Sequence, residues 1–231
     1  MTAYGLEIFA GLVLLLGWLG FDVIQKRITS EDLTAKVSEA RLRWLTEMLG
    51  RADRITDISL ARGLMQSVTF LASTSVLLIT GAIGLIGSAG FMVDIINESI
   101  WLSDTSRAIF EVKTGILLLI FVQTFFRLTW ALRLHSYSMI LIGAAPPPED
   151  KHKSNAKRIA QKAAGLSALA SRHYLAGLRG YYFGWAALAW YVHPLFLVGA
   201  VAFTYVVLIR REYFSHATGM LDGLGSDSRT N

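Results

Sequence analysis

The chain has 231 residues, of which 53% are hydrophobic and 17% charged, with a mean hydropathy of +0.46. A soluble domain carries about 25% charge, whereas apolar residues here come in blocks of about 15 to 25, long enough to cross a hydrocarbon core as helices. This composition excludes an ordinary soluble domain, and the lack of cysteine excludes disulfides, thiolate metal sites and cysteine nucleophiles.

The first span is predicted over residues 4–23 (YGLEIFAGLVLLLGWLGFDV), with Tyr4 and Trp18 as interfacial aromatics. It has no basic leader and ends on Asp22 rather than an A-x-A cleavage pattern, so it reads as a retained span and not a signal peptide. Residues 24–62 follow with eight Lys or Arg and six Asp or Glu. Within them Leu33, Val37, Trp44, Leu45, Met48, Leu49 and Ile55 recur at helical steps, which predicts an amphipathic helix. Thr29 or Ser30 can cap its start, and Glu31 and Asp32 complement the positive end of its dipole.

The second span is predicted over residues 64–87. Its first half, which includes Ser73 and Thr74, is rich in hydroxyls that can bond within the helix or to a neighbour. Its second half places Gly81, Gly84 and Gly87 three residues apart, with Gly90 next, a spacing that predicts close helix packing. Residues 89–109 read as an acidic loop with three acids and Arg107. The third span, residues 109–130, carries Glu111, Lys113, Gln123 and Arg127, and its helix is predicted to run on to Met139, since no breaker occurs before Gly143 and the Pro146-Pro147-Pro148 run.

A second basic loop covers residues 131–174, and the alanine-rich segment Glu149 to Arg179 reads as a second peripheral helix. The last apolar block, Gly180 to Ile209, would measure about 45 Å as one helix, longer than the bilayer core. It is interrupted by Trp190-Tyr191-Val192-His193-Pro194, and proline disfavours a helical residue before it. Two spans over residues 175–192 and 195–211, joined by a tight turn at His193 and Pro194, account for this; a single proline-kinked helix is the alternative. The expected whole is an all-α polytopic membrane domain over residues 1–213, with five spans, two cytoplasmic amphipathic helices and a flexible tail over residues 214–231.

Charge placement supplies orientation. The stretches 24–62 and 131–179 hold eight Lys or Arg each, and Arg210-Arg211 follow the last span. The positive-inside rule then places these segments in the cytoplasm of a bacterium, with the N-terminus outside its inner membrane. The sequence pI near 9.6 is thus explained by loops facing anionic headgroups, without nucleic acid as a partner.

Several stretches carry a resemblance: SVTFLASTSVLL (67–78), Glu111-x-Lys113, FFRLTWALRLHSYSMILIGAAP (125–146), and GLRGYYFGWAALAWYVHPLF (177–196) with Arg210-Arg211-Glu212. In these the chain resembles the uncharacterised membrane-protein family catalogued as domain of unknown function 599, found in bacteria and plants. The resemblance implies several membrane spans and supplies no catalytic residue.

The polar residues within spans are the remaining candidates for function. Gln123 and Arg127 lie one turn apart on one face, as a polar pathway would need. In a structural role Gln123 would bond to the hydroxyl cluster of span two while Arg127 snorkels to the interface. Glu111 and Lys113 would guard an entrance or form an interfacial charge pair, and Asp22 would accept from Lys26 or Arg27. Arg51, Asp53, Arg54 and Asp57 alternate in sign, as a solvated or mutually paired surface does. The five histidines lie one per segment with no H-x-x-x-H pair, and neither a G-x-S-x-G nor a Walker pattern occurs. No catalytic, cofactor or metal residue is therefore expected. The leading expectation is a non-enzymatic scaffold or accessory subunit, as a homo-oligomer or in a larger complex; the competing one is an oligomeric channel or small-solute transporter.

Overall fold

The computed structural model describes residues 2–28, 33–98 and 105–213. Among them the chain is helical without strands: α1 (Thr2–Ile28), α2 (Leu33–Met48), α3 (Ile55–Gly87), α4 (Ala89–Glu98), α5 (Arg107–Gly143), α6 (Ser154–Leu188) and α7 (Pro194–Tyr213), with single 3-10 turns at Pro148–Asp150 and Ala189–Tyr191. Four helices contain stretches long and apolar enough to cross a membrane: Tyr4–Phe21, Ile55–Gly87, Arg107–Gly143 and Pro194–Arg211. The caps expected at Thr29 and Ser30, and the tail 214–231, lie outside the described residues.

The helices depart from the expected boundaries for local reasons. α3 begins at Ile55, ahead of the span expected from residue 64, because Asp53 Oδ1 accepts the Ile55 N–H at 2.8 Å and starts the helix there. Residues 89–98 form α4 instead of loop, since Ala89, Val93 and Ile96 at helical spacing are buried with Phe110. α5 runs on to Gly143, where the proline run stops it. Residues 175–192, the expected fourth span, are not among the four apolar stretches. They carry Arg179, and most side chains on α6 from Gly177 to Ala187 are buried. Burial against neighbouring helices accommodates the small and polar residues of this segment.

The chain divides into two compact units, with α3, α5, α6 and α7 contributing to both. The first comprises Met1–Thr29, Ala72–Phe126 and Ala176–Ile209. Within it Phe183 and Tyr205, eleven residues before and after Pro194, have ring centroids 5.9 Å apart, so the chain reverses at this turn. His193 Nδ1 accepts the Leu195 N–H at 3.2 Å, and Pro194 is buried at the first helical position of α7. Glycines let the backbones approach. A Cβ on Gly17 would lie 3.1 Å from Val201, one on Gly184 would lie 2.5 Å from the Phe121 ring, and one on Gly180 would overlap Thr124.

The second unit comprises Ser30–Leu71, Arg127–Leu175 and Arg210–Asn231. Its core sets Leu45, Met48 and Leu49 against Ala156, Ala160, Ala163 and Ala164 of α6, with Ala61 of α3 and Ile142 of α5. The expected α2 stripe is thus half right: Trp44 is partly buried and packs there, whereas Val37 and Ile55 are exposed. The small alanines let α2 sit close, and each fully buried Leu or Met contributes about 1.5–3 kcal/mol.

Candidate functional site

The most elaborate polar constellation lies in the first unit, where α1, α5 and the 3-10 turn after α6 meet. Lys113 Nζ lies 2.9 Å from Glu7 Oε1, with side-chain exposures of 4% and 15%. The same ammonium donates to the Trp190 carbonyl at 3.1 Å and lies 5.6 Å from the centroid of its indole. Trp190 Nε1 donates to Glu7 Oε2 at 2.6 Å, so both carboxylate oxygens are satisfied. Next to it Thr114 and Tyr191 share a hydroxyl hydrogen bond of 2.7 Å, and Phe110 packs edge-on to the Tyr191 ring. Charges taken out of water are expensive unless each finds a partner, and here the two charges cancel, with the Trp190 N–H and carbonyl as further partners.

Gly11 makes room for this arrangement: a Cβ there would lie 2.7 Å from Cη2 of Trp190. Beside the cluster opens a cavity of about 460 Å³, lined by apolar side chains of α1 and α5 together with Glu7, Lys113 and Trp190.

Lys113 does not pair with Glu111 as its proximity in sequence led us to expect. Residues two apart on a helix point away from each other, and Glu111 instead bonds Arg107 at 2.8 Å on the exposed side. Such an exposed pair adds little to stability. The partner that the spacing along α5 does not reveal is Glu7, the single acid within Tyr4–Phe21. An ionisable residue inside a span calls for a partner, and that signal was available.

The other candidates are separate from this cluster. Gln123 has a buried Oε1 without a hydrogen-bond partner among the described residues. The bond expected from it to the hydroxyls of the second span is not made; there it is Ser75, fully buried, that bonds Tyr181 at 2.8 Å. Ser73 is exposed and Thr74 half-buried. Gly81, Gly84 and Gly87 correct the packing expectation: among the described residues a Cβ on any of them would meet nothing within 4 Å, so close packing there falls to Gly11, Gly17, Gly180 and Gly184 instead. The reason is rotational: Val68, Ala72, Ser75 and Ala82 form the buried side of α3.

In the second unit, Arg127 is half-buried. Of the alternating charges after α2, Arg51 and Asp53 are exposed, Arg54 is half-buried and Asp57 is buried, and Arg51 pairs with Asp57. Asp57 is fully buried and accepts from Trp44 Nε1 at 2.7 Å and from Arg51. Arg54 donates to the carbonyls of Ala145 and Pro146, in the segment that follows α5. Arg41 donates to Ser171 at 3.0 Å. Burial, reinforced by the Arg41 charge, lowers the His135 imidazole to about 4, and burial also lowers Arg41.

Among the described residues no three of His, Asp and Glu gather as metal ligands. The Glu7–Lys113–Trp190 cluster is internally neutralised, so its chemistry is that of a fastening and a polar wall for the cavity. No curated protein and no solved structure matches the chain. The family model of proteins of unknown function designated DUF599 matches residues 9–217, nearly the whole chain, and the chain belongs to that family.

Proposed function

We propose that the chain is a non-enzymatic membrane scaffold or accessory subunit that associates with copies of itself. The observation that carries this reading is the outward face of α3. Only 17% of its most apolar stretch is buried, and it presents Gly81, Gly84 and Gly87 with nothing within 4 Å among the described residues. Glycine in a helix costs about 1 kcal/mol relative to alanine, and lipid tails do not offset that cost. A second helix lying close does, since close backbone approach is what small residues contribute in a bilayer.

The setting we propose is the cytoplasmic membrane of a bacterium, crossed five times, with residues 175–192 as the enclosed fourth span and the N-terminus outside. Eight Lys or Arg in each of the stretches 24–62 and 131–179 support that orientation, each worth about 1 kcal/mol beside anionic headgroups. Nucleic acid has no part in this reading.

The test is the mass of the purified protein in a mild detergent. The wild type is expected as an oligomer and Gly81→Leu/Gly84→Leu as a monomer with unchanged thermal stability. A wild type that purifies as a monomer without partners overturns the proposal. The competing reading, an oligomeric channel or small-solute transporter, is favoured by the buried Oε1 of Gln123, which has no partner among the described residues. Under it, Gln123→Leu abolishes a transport phenotype while assembly is unaffected.

A further inference from the structure

We infer that the first unit binds a neutral, carbonyl-bearing apolar molecule, with its oxygen on the Lys113 ammonium and its body in the cavity beside it. The cavity, about 460 Å³, is lined by Ile8, Gly11, Leu12, Val112 and Ile116 besides the polar cluster. That volume falls in the range of about 300–1,000 Å³ typical of small-molecule sites, and an apolar wall with few convergent polar groups is their usual make-up.

The polar end selects the ligand's chemistry. A lysine ammonium has three N–H donors. Here Glu7 Oε1 and the Trp190 carbonyl accept two of them, and no acceptor among the described residues takes the third. Lys113 is 4% exposed and lines the cavity, so water reaches that donor poorly and an incoming oxygen would complete its bonding. Glu7 sets the charge preference. Glu7 also lines the cavity, so an anionic headgroup would be repelled by Glu7 and a cationic one by Lys113. A neutral acceptor avoids both. Gly11 holds the pocket open at this end, because any larger residue there would push the Trp190 indole off its bond to Glu7.

Two sources carry this chemistry: the ester carbonyl of a neutral glycerolipid and the ring carbonyl of a lipid-soluble quinone. The experiment is calorimetric titration of the full chain in dodecyl maltoside, which has no carbonyl, with three probes: dioctanoylglycerol, decyl-benzoquinone and decylbenzene. At least one carbonyl probe is expected to bind about ten- to a hundredfold tighter than decylbenzene, the ratio that one hydrogen bond to a charged donor supplies. The tighter of the two names the source. Glu7→Gln/Lys113→Met removes both charges together and is expected to abolish the preference. Leu12→Trp, at a half-exposed lining position, fills the cavity without burying a charge and weakens every probe. Failure of both carbonyl probes to bind, equal binding of decylbenzene, a preference that persists in the double variant, or binding unaffected by Leu12→Trp each overturns the proposal.

Discussion

Replacing Lys113 by methionine keeps the length of the side chain and removes its charge, leaving the Glu7 carboxylate with only the Trp190 N–H as a partner. Both side chains are more than four-fifths buried, so solvent cannot substitute for the lost ammonium. Breaking a buried pair from one side costs about 3–5 kcal/mol. For a chain of this length that corresponds to a fall in melting temperature of about 6–20 °C, at about 2–4 °C per kcal/mol. Glu7→Gln on top of Lys113→Met removes the stranded charge while leaving an oxygen to accept the Trp190 N–H, so the double variant should regain most of the loss. Thermal unfolding of the four proteins in one detergent, followed by circular dichroism, gives the cycle. A Lys113→Met protein as stable as the wild type, or a double variant no better than Lys113→Met, would refute the view that this pair fastens α1 to α5.

Two other variants probe different contacts. Gly184→Val forces a side chain into the Phe121 ring, where a Cβ alone comes within 2.5 Å, and should destabilise by about 1–3 kcal/mol through overpacking, read as a lower melting temperature; unchanged stability would remove that contact from the fold. His135 is neutral in the folded chain down to about pH 4, because burial and Arg41 disfavour its charge, while in the unfolded chain it protonates near 6.5. The stability it contributes is present above pH 6.5 and is lost as the pH falls towards 4, since the unfolded state binds the proton more readily. His135→Phe should flatten this part of the curve of melting temperature against pH.

Much of the helical outline is legible along the chain because it depends on local chemistry. Continuous apolar runs mark the spans, and the end of α5 is written in Gly143 and three prolines that no helix can continue through. α4 was legible too, through Ala89, Val93 and Ile96, but the acids around them disguised the pattern as a loop. The glycine line of α3 is plain in the sequence, yet its direction is not. Periodicity of three defines a stripe, and the burial of Ala72, Ser75 and Ala82 on the other side of α3 shows that the stripe faces away from the described helices of the first unit.

What the sequence determines by itself is the class of molecule: 53% hydrophobic residues in long blocks, with the basic residues collected between them, make a helical chain with several stretches apolar enough to cross a membrane. Membership of the DUF599 family is likewise carried in the residue order of 9–217. The tertiary structure decides which polar residues meet. Glu7 and Lys113 are 106 positions apart and Trp190 lies a further 77 on, so no window along the chain can relate them. They come together because a charge buried among apolar helices must find its counter-charge, and three separate segments are brought close enough for it to do so.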